Sequence, residues 1–445
     1  MATFLEPSGE NPLEFDDIIL AFHSVFPFPI IKNTTKEQSI KILKEKGVNA
    51  VCKGPCMRDF ETAEKFLIPE KITHQYYRLE LDGFKVSFLR TLKRGAINVT
   101  LTARVFLTVY PNIGIGALLT NIRLSECDVD DIIFLQQSMY DKTKLSSTLS
   151  ASLGKTRKRG TYLIEVVQDY VHLILSAFGI PRQDVKISTF RCIEIRGLSG
   201  TRVDDPEELF EKFSRQIYGL LTVDEGWRYV PAEVAKARMR SRWRTRSFLS
   251  VVAFADCVIL VNLREKEPSK YTESQEQVRE KYGCKVDGYF VFCPEIAGLN
   301  HGPLLMLENA SIQFSIMEQI SEKSIDIRVR SIKELLNTRE KLTDALVKLS
   351  LIKIPEMGVL EQNVQEAMHV KEKTRELKET LEELERALLI RYNQRINLVL
   401  MMLTVVSLCA GILQILIATG LLNSLSRALE LWRNPFGMFL VLFYR

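Results

Sequence analysis

Six cations recur at every second position in Lys236-Ala237-Arg238-Met239-Arg240-Ser241-Arg242-Trp243-Arg244-Thr245-Arg246. On a strand, where successive side chains alternate between faces, all six would share one side; on a helix they would spread around the axis. A dense arginine face attracts phosphate, because each guanidinium offers two parallel donors. Trp243 could cover apolar surface or stack on a base. Arg238, Arg240, Arg242, Trp243, Arg244 and Arg246 are therefore candidates for holding an anionic ligand, a nucleotide in particular. Two other readings suit the same residues: a solvated face whose charges pair with neighbouring acids, and a contact with anionic lipid headgroups. A smaller basic group is Lys155, Arg157, Lys158 and Arg159. With a net charge of only +5, the chain lacks the basic excess of a nucleic-acid binder, and nucleic acid is not an expected partner.

A second pattern lies near the C-terminal end. Residues 396–422 carry no charge, and a bilayer core needs about 20 mostly apolar residues in a helix. A transmembrane helix is expected there. Within it, Asn397, Thr404 and Gly411 are spaced by seven, as are Leu400, Ser407 and Gln414. Asn397, Thr404, Ser407, Gly411 and Gln414 thus share one face among Leu, Ile, Val and Met. Polar groups facing lipid are costly, so this face should turn toward protein or water. It suits either a helix–helix contact or a pore lined by several copies.

Other patterns carry less. Gly154-Lys155-Thr156 ends like a phosphate-binding loop, but Leu149 stands where its first glycine belongs. Cys52 and Cys56 have no second pair nearby for zinc, and Gly114-Ile115-Gly116 lacks the rest of a dinucleotide fingerprint. The five histidines, His23, His74, His172, His301 and His369, are dispersed, and His172 reads as a core residue of an apolar helix. Asp128, Asp130 and Asp131 suit either cation gating or helix capping. No nucleophilic triad or carboxylate pair is legible. No catalytic residue is expected, and the chain does not read as an enzyme.

The elements that must position these residues can be read from periodicity. Val99, Leu101, Ala103, Val105, Leu107 and Val109 alternate with mostly polar partners, the period of a strand with one buried face. Residues 115–124 should pair with it as a hairpin, 162–178 should form a helix, and 248–261 and 289–293 are buried-strand candidates. The polar stretches 141–160 and 262–283 read as loops. After Gly302 the chain turns rich in Leu, Glu, Lys and Arg, interrupted at Pro355 and Gly358. Val370, Thr374, Leu377, Leu381, Leu384 and Leu388 follow a heptad spacing. That seam suits packing on the body or a self-associating stalk. No proline breaks residues 356–422, which predicts one continuous helix about 100 Å long.

The text Tyr392-Asn393-Gln394-Arg395-Ile396-Asn397, followed by Met402-Leu403-Thr404-Val405-Val406, is similar to the start of the first span in the CorA-like divalent-cation channel superfamily. The resemblance covers residues 300–445 by text and the preceding body by architecture. It implies five subunits, a first span that lines the pore, and gating from the cytosol. It also implies magnesium or another divalent cation as cargo. The Gly-Met-Asn signature that follows the first span in that family corresponds here to Gly420-Leu421-Leu422-Asn423. Gly420 and Asn423 are the span-exit candidates, and the apolar run 436–444 is too short for a second crossing. Some CorA-like proteins with enlarged bodies belong to type III CRISPR defence and answer nucleotide signals, which makes a nucleotide-gated membrane effector the alternative. A tail-anchored scaffold without transport is a third reading.

The expected layout is an α/β cytosolic body at 1–300, a helical stalk at 301–395, a transmembrane helix at 396–422 and a tail at 423–445. The eight scattered cysteines suit a reducing compartment, and residues 1–7 show no cleaved signal peptide. Arg386, Arg391 and Arg395 before the span place the body in the cytosol of a plasma or inner-membrane protein. There the sequons at Asn33, Asn98 and Asn309 never meet glycosylation enzymes. The expected partners are membrane lipid, further copies of the chain and a nucleotide signal.

Overall fold

The computed structural model describes residues 10–28, 35–51, 76–92, 95–111, 113–137, 139, 149–153, 156–159, 163–180, 185–200, 203, 205–239, 242–246, 249–263, 285–287, 290–292, 301–327, 355–419 and 424. In chain order the strands are β1 (Glu14–Pro27), β2 (Ala50–Val51), β3 (Tyr77–Leu92), β4 (Gly95–Tyr110), β5 (Ile115–Leu124), β6 (Cys127–Asp128), β7 (Leu149–Leu153), β8 (Thr156–Arg159), β9 (Ser188–Ser199), β10 (Arg242–Arg246), β11 (Leu249–Phe254), β12 (Cys257–Asn262), β13 (Lys285–Asp287) and β14 (Phe290–Phe292). The helices are α1 (Lys36–Glu45), α2 (Val129–Gln137), α3 (Leu163–Ala177), α4 (Pro206–Lys212), α5 (Ser214–Thr222), α6 (Ala232–Arg238), α7 (His301–Ile327), α8 (Pro355–Ala367) and α9 (Val370–Ala418).

Strands β1 to β12 form one mixed sheet in the order β10-β11-β12-β9-β1-β5-β4-β3-β7-β8, with β2 beside β3 and β6 beside β1. Its pairings are antiparallel except β9 with β12. The period-two pattern of β4 yields the expected strand, and β5 pairs with it as the expected hairpin through Ala103↔Ile122 and Leu107↔Leu118. From Val105 onward, however, β4 is buried on both faces, as is all but one residue of β5. Helices therefore cover the middle of the sheet on each side. On the first face Leu20, Phe22, Val105, Leu107 and Ile122 share a core with Leu43 of α1, Ile133 of α2, Tyr170 of α3 and Leu220 of α5. Opposite them, α7 lies on His23, Arg78 and Phe190.

Four expectations change. The apolar run 248–261 is two strands rather than one, because Ala255, at a positive φ of 49°, turns the chain so that Phe254 pairs with Cys257. The polar stretch 141–160 holds the hairpin β7–β8, paired through Ala151↔Lys158; its remaining residues, like most of 262–283, lie outside the described ones. Helix α7, expected in a stalk, is buried from Leu304 to Gln313. The chain divides into two compact units: Met1–Asp326 with Leu336–Lys378, and Ile327–Leu335 with Glu379–Arg445. Finally, the helix expected across 356–422 is broken. Pro355 opens α8, where its missing N–H costs nothing, and the chain leaves the helix at Met368 and His369. His369 has a φ of 55°, a left-handed conformation that histidine adopts more readily than most side chains. Helix α9 then runs unbroken to Ala418. Its heptad seam is buried at Val370, Leu377, Leu381 and Leu384.

Gly83 sits on β3 at the register shift between Leu81 and Phe84, and a Cβ there would collide with the carbonyl oxygen of Ala103 on β4. That atom cannot retreat without breaking the ladder. Gly83→Ala is expected to cost about 1–3 kcal/mol in denaturant unfolding. Gly358→Ala, which meets open space on a helix, should gain up to about 1 kcal/mol.

Candidate functional site

The densest buried chemistry lies between the second sheet face and α7. Cross-strand neighbours share a face, so Arg78 of β3 and Thr108 of β4 stand side by side. Tyr110 projects from the same side of β4 two residues on, and His23 from the same side of β1. Over them α7 brings Glu308 and, three residues later on the same helix face, Ser311. Arg78 Nη2 donates to both Glu308 oxygens at 3.1 and 3.0 Å, and Tyr110 Oη donates to Oε1 at 2.9 Å. Ser311 Oγ lies 2.7 Å from His23 Nδ1 and 2.8 Å from the Glu308 carbonyl oxygen. A hydroxyl that donates to that carbonyl accepts from His23 Nδ1–H, which leaves His23 Nε2 unprotonated, 3.7 Å from Glu308 Oε2.

The electrostatics arise from that layout. Burial pushes the Glu308 carboxyl up, but Arg78, His23 and the bonds from Arg78 and Tyr110 outweigh it, so it is held below the usual carboxylate range. Burial, partly offset by Glu308 and reinforced by Arg78, lowers His23 to about 4. Burial and the adjacent Glu308 push the Tyr110 hydroxyl up. At neutral pH the cluster therefore holds one cation, one anion and a neutral imidazole.

Ser311, His23 and Glu308 resemble a hydrolase triad in composition only. All three are at most 1% exposed, and the serine hydroxyl is directed at its own helix. The cluster fastens helix to sheet. Sequence reasoning passed over it because its members are separated by up to 288 residues. The one signal was a charged Glu308 directly after the apolar run 304–307 and His23 directly after the apolar run 18–22.

The arginine candidates do not form one face. Arg238 ends α6, with its guanidinium 5.3 Å above the Phe254 ring. Arg242, Trp243, Arg244 and Arg246 lie on β10, while Arg240 falls outside the described residues. Helix α4 and its N-cap supply counter-charges: Arg242 Nη1 is 2.9 Å from Glu207, Arg244 is 3.1 Å from Asp205, and Lys236 is 2.8 Å from Glu211. The hydrogen bond from Lys236 holds the Glu211 carboxyl below its usual range. Trp243 alternates to the other side and is 6% exposed. This is the pairing with neighbouring acids that the sequence allowed.

The polar stripe sits on α9. Asn397, Thr404, Ser407 and Gln414 are exposed and Gly411 is half-buried. Thr404 Oγ1 donates to the Leu400 carbonyl at 2.8 Å, which satisfies it within the helix. Gly420 and Asn423 fall outside the described residues. The aspartates have local duties: Asp128 and Asp131 accept from each other's N–H, and Asp130 pairs with Arg228 at 2.7 Å. Among the described residues no group of three His, Cys, Asp or Glu could hold a metal. Cys52 and Cys56 lie outside them, and Asn309 is only 6% exposed. The chain matches no protein-family model, no curated protein and no solved structure.

Breaking a buried pair leaves an uncompensated charge, so Arg78→Met or Glu308→Gln should each cost about 3–5 kcal/mol in chemical unfolding. The double variant Arg78→Met/Glu308→Leu should cost less than either. The pH dependence has a definite sign. A histidine lowered from 6.5 to about 4 contributes stability that is fully present above 6.5 and is lost as pH falls through 4, by up to about 3 kcal/mol. Unfolding followed from pH 7 to pH 4 should show this decline, and His23→Asn should flatten it.

Proposed function

We propose that the protein is a membrane-anchored oligomer of CorA-like design, in which the α/β body lies on the cytosolic side and copies of α9 together enclose a cation path. The observation that carries this reading is the state of α9. Its most apolar 18-residue window has a mean hydropathy of 2.4 and is 0% buried. A soluble protein's core helix of that composition would be covered. Leu398, Met401, Val406, Leu408 and Ile415 are each more than half exposed, which suits lipid on most sides.

One such helix per chain, among the described residues, cannot surround a path. The amides of Asn397 and Gln414 would be stranded if that helix crossed alone. Association places them against neighbouring copies or against water, and the family resemblance sets the number at five. Divalent cations, magnesium foremost, are the expected cargo. The nucleotide-gated alternative has less support, because Arg242 and Arg244 already face carboxylates.

The test combines membrane extraction, native mass and flux. The full-length chain should resist alkaline extraction from membranes, run as an oligomer in mild detergent, and pass divalent cations when reconstituted in liposomes. Asn397→Leu with Gln414→Leu should leave insertion intact and weaken association by about 1–2 kcal/mol per contact, with loss of flux. A monomer that inserts but passes no ion would reduce the reading to an anchor.

A further inference from the structure

The body buries another glutamate under conditions opposite to those of Glu308. Glu361 on α8 is 4% exposed and lies on the same stripe as Leu360, Val364 and Met368, all at most 5% exposed. That stripe is the docked face of the helix. Elsewhere on α8, Asn363 Nδ2 donates to the Arg242 carbonyl of β10 at 3.3 Å, and Gln365 Nε2 donates to Gln313 Oε1 of α7 at 3.0 Å. Where Glu308 receives Arg78 and Tyr110, Glu361 Oε1 is fully enclosed with no hydrogen-bond donor among the described residues.

The described charged side chains on the elements packed against α8 are engaged elsewhere. On β10, Arg242 and Arg244 pair with Glu207 and Asp205; the Arg246 side chain is not among the described ones. Strand β11 carries no titratable side chain. On α7, Glu308 is held by Arg78, and Glu318 by Lys186 and Lys373. On α8 itself, Glu366 pairs with Lys371 at 3.0 Å. Burial alone raises the Glu361 carboxyl to about 7. A protonated carboxyl is the form this site accepts.

We propose that Glu361 makes α8 a proton-controlled strap, docked on the sheet when its carboxyl is protonated and released when it ionises, with the chain bending at the Met368–His369 junction. The junction is built for this. His369 holds a left-handed φ of 55° between two helices, so the backbone there is already outside both. Beyond it, the first turns of α9 have holds on α7 besides the Lys371–Glu366 pair with α8. Lys373 reaches Glu318 at 3.4 Å and lies 3.9 Å above the Phe314 ring, and Thr374 Oγ1 donates to Met317 Sδ at 3.0 Å. Release of α8 therefore leaves the start of α9 attached. The strap stands on the body alone; only its consequence for a membrane path rests on the function proposed above.

The sign is fixed by linkage. For an acid whose docked value is raised from 4.5 to about 7, docking is undisturbed below 4.5, weakens as pH rises toward 7, and is constant above it. The opening equilibrium should rise by roughly three-hundredfold across that window. Hydrogen exchange of the full-length chain in detergent, corrected for intrinsic rates, reads this directly in peptides covering 356–368. Protection should fall with rising pH in the wild type and be independent of pH in Glu361→Gln. The His23 effect runs in the opposite direction and reports in α7, so the two are separable. Should Glu361→Gln fold poorly, Glu361→Leu gives the same flat profile, and alkylation of Val364→Cys in the wild-type background reports the same opening. Protection of 356–368 that does not change with pH in the wild type, or that keeps its slope in Glu361→Gln, overturns the proposal whether or not the chain conducts ions.

Discussion

The carboxylate of Glu308 decides how the second face of the sheet can be covered. That face presents Arg78, Thr108, Tyr110 and His23 in its middle, where an apolar helix would strand a guanidinium and an imidazole away from water. Helix α7 can lie there because it carries one anion at the right turn and a hydroxyl three residues later. Once seated, it becomes the floor on which α8 and the first turns of α9 rest. Gln313 receives Gln365, Phe314 stacks edge-on against Phe190 at 5.8 Å, and Glu318 gathers Ser188, Lys186 and Lys373. The helices that come last in the first unit thus rest in part on the helix that the Arg78–Glu308 pair seats.

The first face has its own arginine. Arg191 of β9, 2% exposed, donates to Gln136 of α2, to the carbonyls of Leu220 and Leu221 in α5, and bidentately to Asp256 in the turn between β11 and β12. Its own N–H donates to the Asp256 carbonyl at 2.8 Å. This knot lies where β9 and β12 run parallel, a pairing that no tight hairpin can enforce. Surface pairs of similar length, such as Arg123 with Asp17 at 2.7 Å, hold one half-exposed partner and contribute far less. In both faces the energetically decisive charges are the ones removed from water.

What was legible in the sequence obeys the same division. The hairpin β4–β5, helix α3 and the buried seam at Val370, Leu377, Leu381 and Leu384 were readable because burial of one face imposes a period. The run 248–261 was not. A strand buried on both sides has no period, so the turn at Ala255 and Asp256 was marked by one aspartate alone among apolar neighbours. The break at His369 was invisible for a related reason: it uses neither Gly nor Pro, and the straps across it are long-side-chain contacts. The basic cluster left several readings open because its meaning depends on Asp205, Glu207 and Glu211, about 25 to 40 residues away on another element. Glu308 is the extreme case, with its ligands on three strands near the far end of the chain.

The two glutamates and the two amides show one rule acting in different solvents. Glu308 meets donors inside the body and stays ionised; Glu361 Oε1 meets none among the described residues, and burial raises that carboxyl to about 7. Asn397 and Gln414 also have no hydrogen-bond partner among the described residues, but they stand exposed on a helix long and apolar enough to cross a membrane. An amide cannot shed its polarity by taking up a proton, as a carboxyl can. Its remaining way to lower the cost is to move against something polar. For a helix in lipid that means water or another protein surface, and a second copy of the same helix presents matching groups at the same depth. Association is thus what the proposed membrane crossing by α9 would demand, before any appeal to what an assembly would carry.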